Sequence, residues 1–397
     1  MNGRNINFIK SSASKSPQGE NPAGNQFIGA DAKRPSRIEI DISALRNNIS
    51  AIKSKIAPGS KLMAVVKANA YGHGAVKISE VAQEEGIDYL GVAFIEEADE
   101  IRNAGIEIPI VLLYPEELQR SLEAVKRGYI ITISDFETLR RMGEILKDSG
   151  TPIRYFLKIN TGMNRYGMKI ENTENLFEQV ITEAGYKFFG FVTNLAGSNG
   201  GQETLSRKQE DIFIDLMNSA RRSFGDDIFL SFESSGYLSK IEKSRGSLIR
   251  IGHLLYGSLD GGEREIKPLM TVKSRVAEIQ NLEKGEGIGY GFSFIADRPM
   301  KIAVIPMGYA DGYPWSLSNR GFVLIKGEIA KVVGRICMDA FMIDITDLKD
   351  CEQGDEVVIM GAMGDKTITS QLLGELAGSF SYEIMSRWSR RLPRIYK

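Results

Sequence analysis

A (β/α)8 TIM barrel joined to a C-terminal, mainly-β domain is the fold class this sequence predicts. Three observations predict it. From residue 37 to 268, short apolar runs alternate with amphipathic helical stretches. Polar residues gather where those runs end, which is where a barrel carries its site. After residue 268 strand-like runs follow one another, separated by Gly-rich turns. A doubly wound sheet accounts for the same run of elements, because a count does not prove closure.

Taken in order, residues 1–36 are polar and rich in Asn, Ser, Gly and Lys, and read as a flexible tail. They lack the apolar core of a secretory signal. Residues 37–42, RIEIDI, alternate as a strand. Ser43 is a candidate cap for the next helix, where Leu45, Ile49, Ile52 and Ile56 recur at helical spacing. Barrel strands are expected at 61–69, 89–93, 108–114, 130–133, 154–160, 188–195, 229–235 and 248–256. Helical patterns fall at 96–103, 115–126, 135–147 and 206–223. In the second domain, 269–397, strands are expected at 270–279, 301–306, 322–325, 328–333, 342–345 and 356–360. Only 369–377 there reads clearly as a helix.

Composition excludes several functions. The 397 residues carry 50 Lys+Arg against 51 Asp+Glu, so nothing favours nucleic acid or an anionic membrane as partner. No stretch approaches the roughly 20 apolar residues of a membrane span. Two cysteines, Cys337 and Cys351, are too few for a disulfide framework and fit a reducing cytoplasm. With two histidines, His73 and His253, neither a His-rich metal site nor a Ser-His-Asp triad is expected. Chemistry must then use Lys, Tyr, Arg, a carboxylate or a cofactor.

The first barrel strand supplies a candidate. It runs Ala64-Val65-Val66 into Lys67 and then into Tyr71, Gly72 and Gly74. A lysine at a strand end either snorkels to solvent or loses its charge and becomes a nucleophile toward aldehydes. Tyr71 and the glycine N–H groups could hold a phosphate. Other strand ends carry Lys158 and Asn160, Thr193 and Asn194, Glu233 to Ser235, and Arg250 to Gly252.

Several separated motifs resemble the alanine racemase family, fold-type III enzymes that use pyridoxal 5'-phosphate. They are AVVKANAYGHGA at 64–75, KINTGMNRYG at 158–167, RIGHLLYG at 250–257 and GYGFSF at 289–294. MGYADGYP at 307–314, VGRICMDAFMIDIT at 333–346 and the segment from Ser381 complete the set. The resemblance covers about residues 36–397. It implies that Lys67 holds the cofactor and serves as one acid/base group, with Tyr290 as the other on the opposite face of the substrate Cα. Racemisation needs such a pair. It implies a homodimer whose Tyr290 enters the partner's barrel, a small amino-acid substrate, and a strand at 37–42 that joins the C-terminal domain. Arg250 matches the residue facing the pyridine nitrogen; its permanent charge would keep that nitrogen unprotonated. Tyr71, Ser234, Gly252 and Tyr382 match phosphate-holding positions. Arg165, Tyr309 and Met338 match the substrate-carboxylate side. Lys158 matches a lysine often carbamylated in the family; a plain ion pair is the other reading.

Two departures stand out. Asn194 occupies a position where the family usually has histidine, so activation of Tyr290 is expected to rest mainly on the field of Arg250, directly or through Asn194 and water. Glu233 replaces a common asparagine and is expected to point away from the phosphate or pair with a cation. A racemase of serine or another amino acid, a pyridoxal-phosphate binder without turnover, and a decarboxylase using Cys337 are the competing readings. Arg250 argues against the last.

Overall fold

The computed structural model describes residues 34–170, 173–182, 186–197, 202–225, 228–238, 244–257 and 265–397. The expected tail otherwise lies outside these, but Ser36 is buried and bonds Ser274 Oγ and the Pro306 carbonyl, each at 2.8 Å.

Eight parallel strands form the barrel: β2 (Lys61–Val65), β3 (Tyr89–Val92), β4 (Ile110–Leu112), β5 (Ile131–Ile133), β6 (Arg154–Lys158), β7 (Lys187–Val192), β8 (Phe229–Ser231) and β9 (Leu248–Ile251). Strand β1 (Arg37–Ile40) precedes them and lies outside the ring. Regular ladders join β4-β3-β2-β9 and β5-β6-β7-β8. Single bridges, Val111 with Ile130 and Ser234 with Arg250, close the two seams. A closed ring buries both faces of every strand, which is why the strands read as continuous apolar runs. Met63, Val111, Ile130, Phe156, Val192 and Leu248 fill the interior as one buried cluster. Most of them also line the cavity at the strand C-termini and form its floor.

The helices cover the outside. In the first, Ile42–Lys55, Leu45, Ile49 and Ile52 are buried as their spacing requires. Its cap is Asp41, which accepts from Ala44 N at 2.9 Å, while Ser43 donates to Asp41 instead of capping. The same carboxylate oxygen takes both bonds.

Strand β1 pairs antiparallel with Met270–Arg275 and parallel with Arg394–Tyr396. It thus belongs to the ten-stranded sheet of the C-terminal half, not to the barrel. Within that sheet Phe322–Ile325 and Glu328–Val333 form a hairpin through Lys326 and Gly327, both at positive φ, as a tight two-residue turn requires. Four expectations are corrected. Residues 67–69 leave the strand and turn; His253–Tyr256 form a short helix after β9; and Ser381–Ser386 form a helix that the pattern did not show. The expected strand at 270–279 is divided between Met270–Arg275 and Glu278–Leu282.

Candidate active site

Lys67 sits at the C-terminal end of β2, where the backbone turns the wrong way for L-residues. Ala68, Asn69, Ala70 and Tyr71 all have φ between 52° and 54°. A left-handed turn costs on the order of 1–2 kcal/mol per non-glycine residue. Local bonds offset that cost. Glu97 accepts from Ala68 N at 2.6 Å and from Ala93 N at 2.7 Å. Asn69 Oδ1 accepts from Ala75 N at 2.8 Å, and His73 Nδ1 bonds the Ala70 carbonyl at 2.9 Å. Gly72 completes the turn at φ 86°, and a Cβ there would collide with the Met385 carbonyl. That close approach is what brings the helix Ser381–Ser386, with Tyr382, against the strand that carries Lys67.

One cavity opens at the strand C-termini, and Lys67, Tyr71, Lys158, Ser234, Arg250, Gly252 and Tyr382 all line it. Lys67 Nζ donates to the Tyr114 hydroxyl at 2.7 Å. Arg250 is 6% exposed; it donates to the Ser231 hydroxyl and, at 2.6 Å, to the Thr193 carbonyl. Burial lowers its guanidinium to about 10, still charged at neutral pH. Burial pushes the Tyr71 phenol up, so it remains an O–H donor. Lys158 is 4% exposed and donates to the Asn194 amide oxygen. Burial, then the nearby charges of Arg250, Arg165 and Lys67, push its amine far below the usual lysine range.

The departures now have positions. Asn194 Oδ1 is engaged by Lys158, while the Arg250 guanidinium donates to Ser231 at the end of β8 and to the Thr193 carbonyl just past β7. Glu233 is buried and points away from the cavity, accepting from Arg245 N at 2.6 Å and Gly246 N at 3.0 Å. Burial raises its carboxyl, against those two bonds.

Arg165 is exposed beside the cavity, with its guanidinium 5.4 Å from the centre of the Tyr114 ring. Tyr290, Tyr309 and Met338 form a second group on the C-terminal half, 73%, 42% and 53% exposed. Tyr309 N donates to the Cys337 carbonyl at 3.0 Å and Ala310 N to the Met338 carbonyl at 3.1 Å. Cys337 and Tyr290 share a shallow apolar depression. Within one chain these residues are not among those lining the barrel cavity. Sequence reasoning passed over Tyr114, although it ends an expected barrel strand and the strand-end rule would have found it.

Two family profiles match end to end: alanine racemase, N-terminal domain, over residues 40–260, and alanine racemase, C-terminal domain, over 269–396. The chain belongs to the alanine racemase family. Alanine racemase 2 of Caldanaerobacter subterraneus subsp. tengcongensis is 34% identical over 371 residues, 92% of this chain and 96% of the relative. Among solved structures, alanine racemase from Bacillus anthracis with bound L-Ala-P is 28% identical, covers 93% of this chain and 96% of its own, and superposes with a TM-score of 0.84. Alanine racemase from Bartonella henselae with covalently bound pyridoxal phosphate is 26% identical, covers 92% and 100%, and has a TM-score of 0.81.

The barrel cavity fits the cofactor that this family uses. It offers a primary amine, a buried permanent cation, and the hydroxyls of Tyr71, Ser234, Ser235 and Tyr382. Those are suitable partners for an aldehyde, a pyridine nitrogen and a phosphate respectively. Gly252 leaves open space between these hydroxyls, since a Cβ there would stand 3.0 Å from the Tyr71 oxygen. Ser235 Oγ accepts from Gly252 N at 3.0 Å and Leu254 N at 3.2 Å, which anchors that loop.

Proposed function

We infer that the chain interconverts L-alanine and D-alanine, with pyridoxal 5'-phosphate as its cofactor. The observation that carries this reading is the convergence of Lys67, Arg250 and the hydroxyl group set on one barrel cavity, in a chain of the alanine racemase family. When bound, the cofactor supplies an electron sink for negative charge on the substrate Cα.

Lys67 would hold the cofactor, with Tyr71, Ser234, Gly252 and Tyr382 on its phosphate and Arg250 on its ring nitrogen. The Arg250 charge keeps a proton off that nitrogen, because two adjacent cations repel. Substrate frees the Lys67 amine for acid/base work. As a neutral amine, Nζ takes the Cα proton and becomes an ammonium. On the other face the Tyr290 O–H gives its proton to Cα and becomes a phenolate, which the field of Arg250 stabilises. The reverse reaction exchanges these roles, and solvent resets both groups. Arg165, Tyr309 and the Met338 backbone would orient the substrate carboxylate.

Because Tyr290 does not line the barrel cavity of its own chain, we assign it to the cavity of a partner subunit, which makes the working unit a homodimer with two shared sites. The exposure of Tyr290, Phe292, Tyr309 and Met338 on one half supports this reading, because exposed apolar groups of that kind mark contact surfaces. We assign the enzyme to the cytoplasm; among the described residues no helix is long and apolar enough to cross a membrane. Lys158 is assigned as a carbamylated lysine. Its neutral amine adds carbon dioxide and releases one proton, and the resulting anion balances Arg165, Arg250 and Lys67. A chiral assay over a panel of L-amino acids tests the function. Alanine is expected to racemise fastest; faster turnover of serine, or release of carbon dioxide, would contradict it.

A further inference from the structure

We propose that Tyr114 is a positioning residue that holds the free Lys67 amine at its working point and couples it to Arg165. Tyr114 follows β4 and is half-buried in the cavity wall. Its hydroxyl oxygen accepts from Lys67 Nζ at 2.7 Å. Its ring carries the Arg165 guanidinium 5.4 Å from its centre and packs on Tyr166 at 5.4 Å. A cation over an aromatic face is attracted by the ring quadrupole. One phenol therefore fixes an acid/base amine through its oxygen and a carboxylate-binding arginine through its face. In the reading above Lys67 exchanges the Cα proton as a free amine, the form that this oxygen can hold. A lysine has four rotatable bonds, so a partner at its tip limits where the proton is delivered. This proposal rests on the roles given to Lys67 and Arg165 above.

The two contacts separate by substitution. Tyr114→Phe removes the oxygen and keeps the ring; Tyr114→Leu removes both. In the holoenzyme Tyr114→Phe is expected to lower kcat about tenfold while leaving KM for alanine within about twofold. Tyr114→Leu is expected to lower kcat similarly and raise KM as well. The primary isotope effect of Cα-deuterated alanine should rise in Tyr114→Phe for one enantiomer only, the one whose proton Lys67 takes. That enantiomer is identified separately, as the one that still loses its Cα deuterium to solvent in Tyr290→Phe. Loss from both enantiomers, or from neither, would reject the two-base assignment and leave Tyr114 to be judged on cofactor capture. For capture, cofactor-stripped Tyr114→Phe should regain its borohydride-sensitive visible band several-fold more slowly than wild type on addition of pyridoxal phosphate. Unchanged capture, or isotope effects that move equally for both enantiomers, would overturn the proposal.

Discussion

Arg250 Nη2 donates to the Thr193 carbonyl at 2.6 Å, so the cation that would face the cofactor ring is held by the residue that follows β7, two strands away around the barrel. Its other terminal nitrogen donates to the hydroxyl of Ser231, the last residue of β8. A guanidinium spans both partners; an ammonium cannot. Arg250→Lys is expected to leave one buried acceptor unsatisfied and lower stability by about 1–3 kcal/mol. Urea denaturation of the purified chain checks this, and an unchanged midpoint would show that the two bonds are replaceable.

Glu97 underpins the left-handed turn through both carboxylate oxygens. Glu97→Ala removes charge-assisted bonds to Ala68 N and Ala93 N, and roughly 2–4 kcal/mol of stability should go with them. Because that turn aims Lys67, kcat should fall even where the variant remains folded. Denaturation and assay on the same sample separate the two effects. Glu97→Gln, which keeps one acceptor, should lie between.

Much of this architecture was legible. Parallel strands buried on both faces are unbroken apolar runs, and polar residues at their ends, Lys67, Lys158, Ser234 and Arg250, do line one cavity. The turn at Ala68–Tyr71 was not legible, because its alanines carry no signal for positive φ and much of its support comes from Glu97 and His73 outside it, with Asn69 adding one bond from within. His253–Tyr256 read as strand because a short apolar run has no period of its own. Tyr114 was seen only as the end of a strand; its importance depends on where Lys67 and Arg165 point.

His73 is fully buried, stacked on Tyr256, and burial pushes it down from 6.5 to about 4. Between those values the unfolded chain binds the proton and the folded chain does not. Stability is therefore full above pH 6.5 and falls as the pH drops toward 4, by about 3 kcal/mol for this one group. His253, pushed down to about 2, acts in the same direction. His73→Gln should flatten the melting profile across this window. A wild-type profile already flat there would contradict the assignment.

Asn194 and Lys158 make a second pH-linked pair. A neutral Lys158 amine can take up carbon dioxide; an ammonium cannot. Asn194→Asp places a carboxylate at the position that Lys158 now bonds, which favours the ammonium. Bicarbonate should raise the activity and Tm of wild type and leave Asn194→Asp unaffected. A carbamate signal after labelled bicarbonate, present in wild type and absent from Lys158→Arg, would be the direct readout.

The shared site is tested most directly by mixing two dead enzymes. Lys67→Ala and Tyr290→Phe each remove one acid/base group. In a hybrid dimer with shared sites, one site has lost both groups and the other retains both. Half the dimers are hybrids after random exchange, so co-expression should restore roughly a quarter of wild-type alanine racemisation. If the mixture stays as inactive as either parent while hybrids are shown to form, each site uses groups from a single chain, and the cross-subunit account is wrong.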